Sequence, residues 1–428
     1  MKTVWPLASI ESLCTRVTSG GTPSRSNSAY YENGTIPWIK TGELKDWYVD
    51  AIQEKITEAA LRESSAKLFP PNTVLLAMYG DGKTMGSVGL LRKSCATNQA
   101  CCAMLPDPAK CDPKFLLYSL IYFRPAILKL TIAGAQRNLN GTTIKQFKIG
   151  APDLEEQRRI ASILSAYDDL VENNTRRIAI LEEMARRIYE EWFVRFRFPG
   201  HDQVKMVESE LGLIPEGWFP SPVGECVTVR RGKSYKSAEL ADEGGLPFVN
   251  LKCMERDGGF RKSGLKLFTG SYKETQKATT GDLVMAVTDM TQERRIVARC
   301  GRVPRLGADF GVISMDLVKI DANKGVPKDF MYGMFRWSGF ADEVKQHANG
   351  ANVLHLSPDR IAEYRFALPP SDVTAQFAGL VSPMLHQSDV LLEKNEVLRA
   401  TRDLLLPKLI SGELDFSTLP EPEEAIAA

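Results

Sequence analysis

The chain repeats itself once, and a duplicated sequence must fold as two copies of one unit. Gly34-Thr-Ile-Pro-Trp recurs as Gly245-Leu-Pro-Phe, with Pro37 matching Pro247. Asn72-Thr-Val-Leu-Leu-Ala-Met recurs as Gly281-Asp-Leu-Val-Met-Ala-Val, and Phe115-Leu-Leu-Tyr as Phe330-Met-Tyr-Gly. Leu139-Asn-Gly-Thr-Thr-Ile-Lys-Gln-Phe recurs as Leu356-Ser-Pro-Asp-Arg-Ile-Ala-Glu-Tyr, and Pro152 matches Pro369. The offset grows from about 210 to 217 along the chain, as loop insertions in the second copy produce. Each match is weak alone, but their shared order is hard to obtain by chance. Each copy begins with short β-rich runs (Val74–Met78; Leu283–Val287 and Ile313–Ile320) between turn residues. A short helix follows, over about 113–129 and 328–346, and a long helix closes each copy.

The long helices carry the strongest periodicity. After Pro152 and an acidic start (Asp153, Glu155, Glu156), apolar positions run Ile160, Leu164, Tyr167, Val171, Asn174, Ile178, Leu181, Ala185, Ile188 and Trp192. The steps alternate four and three, which is the a/d seam of a coiled coil. The second copy reads Phe377, Val381, Met384, Ser388, Leu391, Asn395, Leu398, Arg402, Leu405 and Leu409, each 217 residues after its counterpart. Each seam holds one Asn, a residue that fixes register at some cost in stability. Ser388 and Arg402 interrupt the second seam. Two equivalent seams in one chain predict an antiparallel pair, and about 40 residues of helix span roughly 60 Å. The expected fold class is α+β: two β-rich mixed domains separated by two long antiparallel coiled-coil helices in a pseudo-twofold internal repeat. The expected boundaries are 1–152, a helical spacer 153–197, a linker 198–217, a second domain 218–370, a helical spacer 371–414 and a disordered tail 415–428.

A net charge of +1 hides an alternation. Residues 1–150 hold 18 Lys and Arg against 11 Asp and Glu, a net of +7. Residues 218–371 hold 23 against 18, a net of +5, and the remainder 13 against 24, a net of −11. A polyanion is drawn to the β-rich blocks and repelled by the helical ones, which suit protein partners. The longest apolar runs are too short to span a bilayer, and the N-terminus lacks the pattern of a signal peptide. Eight cysteines without paired CxxC spacing and four scattered histidines disfavour a zinc site or a disulfide framework. A reducing cytoplasm fits them best, with no metal and no membrane.

A globular region, a long helix, a second globular region and a second equivalent helix, in that order, resemble the specificity subunits of type I restriction–modification systems. Ser19-Gly-Gly-Thr-Pro-Ser followed by Gly34-Thr-Ile-Pro-Trp is similar to the opening of such a recognition domain. Pro152-Asp-Leu-Glu-Glu-Gln-Arg-Arg-Ile resembles the start of the family's helical region, and Glu210-Leu-Gly-Leu-Ile-Pro-Glu-Gly-Trp the phrase that introduces the second recognition domain. Leu406-Pro-Lys-Leu-Ile-Ser-Gly-Glu-Leu is similar to the closing phrase. The second helix departs from the pattern, reading Ser371-Asp-Val-Thr-Ala-Gln-Phe. The resemblance implies two target-recognition domains, each reading one half of a bipartite site in double-stranded DNA. It implies docking of two adenine-N6 methyltransferase subunits through the helices, with ATP-driven motor-nuclease (restriction) subunits as optional additions. The resemblance further implies that S-adenosylmethionine, ATP and Mg²⁺ belong to those partners, and that this chain is expected to bind no cofactor and to have no catalytic residue.

Base edges are read by side chains with paired donors and acceptors, and phosphates by Lys, Arg and small polar groups. Loops on a rigid scaffold are the expected carriers. The candidates are Thr22, Lys40, Tyr79, Lys83, Thr84, Arg137 and Asn138 in the first domain. In the second they are Arg231, Lys233, Lys236, Lys252, Thr288, Arg294, Arg295 and Asn352. Each also has a plain reading as a solvated surface residue.

Three motifs resemble catalytic ones. Gly80-Asp-Gly-Lys-Thr84 is like a phosphate loop, but Ala77 stands where a Walker A motif needs Gly. Pro106-Asp-Pro-Ala-Lys110 and Asp316-Leu-Val-Lys319 are like elements of a nuclease, at a length expected by chance. Cys101-Cys102 reads as a core strand. The competing reading is a nuclease or ATPase whose catalytic loop lies near Lys83 or Asp107.

Overall fold

The computed structural model describes residues 5–80, 84–131, 138–323 and 325–414; the expected tail 415–428 lies outside them. The chain forms two compact units, and the first is discontinuous: Met1–Asn173 with Asn395–Ala428, and Asn174–Lys394. The helical spacers are therefore not bodies of their own. Each long helix gives one end to each unit.

In the first unit the main sheet orders the strands Cys14–Ser19, Cys101–Pro106, Val74–Ala77, Val88–Leu90 and Trp47–Tyr48. Val74–Ala77 is buried at every position, as a strand covered on both faces must be. The second unit repeats the order with Val227–Arg231, Leu317–Ala322, Leu283–Ala286 and Cys300–Arg302, and Leu283–Ala286 is again wholly buried. Asn72 and Gly281, matched by the repeat, enter these central strands with φ of 65° and 83°. This left-handed turn suits Gly and tolerates Asn. A second sheet in each unit contains one parallel pair. Trp38 and Ile39 face Ala96 and Thr97, and Phe248 and Val249 face Val312 and Ile313. The duplication thus holds at the level of strand register.

The short helix Pro113–Leu128 starts where the Asp112 carboxylate accepts from the backbone N–H of Lys114 and Phe115, with Pro at its first position. Its counterpart is Lys328–Trp337, and Phe115 and Phe330 are both buried. The first long helix is Leu154–Tyr189, followed by a π-helical turn, Glu190–Val194. The second is Ser371–Ile410, and Gly412 beyond it, at φ 68°, turns the chain out of the helix.

Within the first unit, Ile160 and Leu164 share a core with Leu406, Leu409 and Ile410, together with Ile10, Phe115 and Tyr118. Asp168 meets Arg402, and the Asn395 side-chain amide donates to the Val171 carbonyl at 3.4 Å. One helix rises in number where the other falls, so the two run antiparallel. Within the second unit, Ala185, Tyr189 and Trp192 pack with Val373, Phe377, Val381 and Leu385. The Phe377 ring lies 5.9 Å from that of Tyr189 and 6.1 Å from that of Trp192. All twenty seam positions are buried or half-buried. The breaks in the second seam have local reasons. Ser388 turns its hydroxyl to the Met384 carbonyl at 3.0 Å, and Arg402 finds Asp168.

Candidate nucleic-acid interface

In the first unit the strands Cys14–Ser19 and Val74–Ala77 both run antiparallel to Cys101–Pro106, which lies between them. The two outer strands therefore leave the sheet at the edge where the middle one enters it. Four chain segments meet there. Gly20 and Gly21 donate their N–H to the carbonyls of Cys101 and Thr97 at 3.4 and 2.9 Å. Met78 donates to Ala100 at 2.8 Å, and Leu139 to Met78 at 3.1 Å. The result is a row of loops: 20–22, the turn 98–100, the loop after Ala77, and the segment at 138–139.

The second unit builds the same row bond for bond. Gly232 and Lys233 donate to Leu317 and Ile313 at 3.3 and 2.7 Å. Val287 donates to Asp316 at 2.9 Å and Leu356 to Val287 at 2.8 Å. Gly20 and Gly232 are equivalent, and both positions require Gly. A Cβ on Gly20 would stand 2.1 Å from the Thr97 carbonyl oxygen, and one on Gly232 2.0 Å from that of Ser314.

The candidate residues divide against this frame. Thr22, Tyr79, Thr84 and Asn138 lie on or beside the first row, and Thr22 bonds through its hydroxyl to the Gln99 side chain. Lys83 and Arg137 lie outside the described residues. Lys40 borders the row, because the Ile39 carbonyl accepts from Asn98 N–H at 3.0 Å, but Glu54 already partners its ammonium. That hydrogen bond from Lys40, aided by one from Arg25, holds the Glu54 carboxyl below its ordinary value against the upward push of burial.

In the second unit Arg231 and Lys233 open the row, and Asn352 is exposed on its far loop. Lys236 and Lys252 are exposed but sit outside the four segments. Thr288 does not reach the surface: it is 3% exposed and pairs in register with His355. Arg294 holds loops together, donating to the Gln346 side chain at 2.8 Å and the Ala348 carbonyl at 3.4 Å. Arg295 faces Asp257 at 3.3 Å. Two of these cations, Arg294 and Arg295, thus already have partners inside the protein.

Asp289 organises the loop that carries them. Its carboxylate accepts from the N–H of Thr291 at 2.9 Å, Ile296 at 2.8 Å and Val297 at 3.3 Å, and from the Thr291 hydroxyl at 2.9 Å. Burial alone would raise this carboxyl, but those four bonds outweigh it and leave it below its ordinary value. The residues that the sequence reading passed over are Gln99, Met290, Gln292 and Met315. Gln292 donates to the Ala351 carbonyl at 2.9 Å and so ties two loops of the row. Aligning Thr97–Cys101 with Ile313–Leu317 would have exposed the central pair, Gln99 and Met315.

The catalytic lookalikes take other roles. Val74–Ala77 and Val88–Leu90 form an antiparallel pair, so a strand follows Gly80–Thr84 where a phosphate loop needs a helix. Lys110 pairs with Asp107 at 3.1 Å, and Lys319 with Asp282 at 3.0 Å. Every cysteine is buried and unpaired, and burial pushes Cys14 and Cys102 up to about 12, far from a reactive thiol. Among the described residues no cluster of His, Cys, Asp or Glu is placed to hold a metal, and no helix is long and apolar enough to cross a membrane.

Fold and site define a duplicated protein that presents two equivalent loop surfaces on β scaffolds, braced by long helices. Residues 4–183 match the family model described as the type I restriction modification DNA specificity domain. The type I restriction enzyme MjaIX specificity subunit of Methanocaldococcus jannaschii is 28% identical over 416 residues, covering 94% of this chain and 92% of that protein. The protein described as the MjaX specificity subunit of the same organism is 33% identical over 320 residues, covering 73% and 71%. The crystal structure of the type I restriction-modification S subunit from M. genitalium shares the fold, with a TM-score of 0.61 at 17% identity over 96% of this chain and 97% of that one. The chain belongs to the family of type I restriction enzyme specificity subunits. Nothing in the comparisons favours a nuclease or an ATPase.

Proposed function

We propose that each unit reads one half of a bipartite site in double-stranded DNA through its row of loops, and that the chain itself catalyses nothing. The observation that carries this reading is the bond-for-bond repetition of the row on two basic domains. One scaffold has been kept twice while the side chains on it differ. The paired helices set the separation of the half-sites. Their outer faces keep large apolar side chains in solvent, Val397 at 66% and Leu404 at 69% in the first unit and Ile180 at 59% in the second. We assign those faces to two methyltransferase subunits, with motor-nuclease subunits as further partners. S-adenosylmethionine, ATP and Mg²⁺ act on the partners, and the assembly works in the cytoplasm.

The test is to bind the purified chain to duplex DNA across a salt series and to map the methylation motif in cells carrying the partner subunits. Phosphate contacts predict a steep loss of affinity with salt. The mapped motif should be split, with modified adenine on both strands. Exchanging residues 1–150 for those of another family member should change one half-site alone. Adding four residues to one seam should change the gap and leave the bases. A contiguous motif, or ATP turnover by the isolated chain that Lys83→Ala abolishes, refutes the proposal.

A further inference from the structure

We propose that the central turn of each row is a base-reading position, with Gln99 reading an adenine in one half-site and Met315 a thymine methyl in the other. This rests on the function proposed above. The two turns are equivalent, because Thr97 and Ile313 accept from the first loop of their row while Ala100 and Asp316 accept from the third. Each turn is therefore held from both sides by backbone hydrogen bonds and lies in the middle of the row. The middle of an interface is where water is most fully excluded and where side chains count most.

The chemistry of the two residues then differs in a defined way. Gln99 is exposed at the tip of its turn, and the Thr22 hydroxyl on the neighbouring loop engages its amide oxygen. That contact orders a side chain that is otherwise free to rotate, and it leaves the amide NH₂ and the oxygen's second lone pair unused. A glutamine so presented matches the N7 acceptor and N6 donor on the major-groove edge of adenine. Ordering it in advance removes part of the entropy cost of binding.

Met315 takes the same position in the second unit and is 50% exposed, and Met290 on an adjoining loop of the row is 65% exposed. A lone exposed methionine needs no explanation. Here one stands where its twin unit has a polar reader, between Lys233, whose carbonyl accepts from Met315 N–H at 2.8 Å, and the loop that begins at Val287. A thioether side chain has no strong donor or acceptor, and the feature of the major groove that rewards apolar contact is the C5-methyl group of thymine.

The experiment is a methylation map of cells carrying the partner subunits and the full-length chain as wild type, Gln99→Ala, Gln99→Glu, Met315→Ala or Met315→Gln. Both side chains are exposed, so each variant should keep the wild-type urea midpoint. Gln99→Ala should lose about 5- to 150-fold of discrimination at one base pair of one half-site. Gln99→Glu should turn that position from adenine toward cytosine, whose N4 group donates to a carboxylate. Met315→Ala should relax one base pair of the other half-site by about fourfold, the worth of a methyl contact. Met315→Gln should move that position toward adenine. An unchanged motif in all four variants overturns the inference and leaves the proposed function standing, and so does a loss spread evenly over all bases. A wild-type chain with no motif and no salt-dependent DNA binding overturns both.

Discussion

Arg402, near the end of the second long helix, pairs with Asp168 near the start of the first, and the Tyr118 hydroxyl donates to the same carboxylate at 2.6 Å. Asp168 is 4% exposed. The three residues tie the last helix of the chain to the first domain, more than two hundred residues upstream.

Removing one partner of such a pair leaves a buried charge with too few bonds. Arg402→Met should lower the stability of the first unit by about 3 kcal/mol. The replacement Asp168→Asn should recover part of that loss when combined with Arg402→Met. A double-mutant cycle in urea measures both, and strict additivity would show that the pair contributes nothing.

Asp289 gives a pH dependence with a definite sign. Its folded carboxyl lies below its ordinary value. Its contribution is therefore present above the unfolded carboxylate range and is lost as pH falls through the lower, folded value. Stability of the second unit should fall as pH drops below the ordinary carboxylate range, and Asp289→Ala should remove that part of the slope. At neutral pH the same change strands four donors and should cost about 2–4 kcal/mol, read from thermal melting at each pH.

Gly20→Ala and Gly232→Ala force a methyl group against a backbone carbonyl. Each should destabilise its own unit by about 1–3 kcal/mol and displace the loop row there. On the proposed function, Gly20→Ala should blur one half-site and Gly232→Ala the other. Equal damage to both half-sites from either change would separate the row from recognition.

Arg231 and Lys233 open the second row, and neither has an ion-pair partner among those described. If both contact phosphates, Arg231→Ala with Lys233→Ala should reduce the log–log salt slope of DNA binding by about 2 and weaken all sequences alike. A change in the bases preferred, at constant slope, would assign them to base reading instead.

Much of this architecture was legible in the residues. Pro37 and Pro247, or Asn72 and Gly281, fall at the same strand and turn in both units, because a duplicated pattern of turns and apolar runs encodes a duplicated sheet. The two seams were legible for a similar reason: a helix repeats its faces every few residues, so the sequence itself displays which side is covered. The site was less legible. Thr288, Arg294 and Arg295 have the chemistry of DNA contacts, but whether a side chain is buried or already partnered depends on neighbours such as His355, Gln346 and Asp257 that lie far along the chain. Gln99 and Met315 went unnoticed because one polar or apolar residue in a short turn carries no periodic signal.

By itself the sequence determined that there are two equivalent units, two heptad helices and basic domains alternating with acidic helices. These are properties of local pattern and composition. Only the tertiary structure decided that the second helix ends in the first unit, and that residues near 21, 78, 99 and 139 come together in one row. Those adjacencies follow from strand order, which is fixed by packing between segments that sequence spacing alone does not relate.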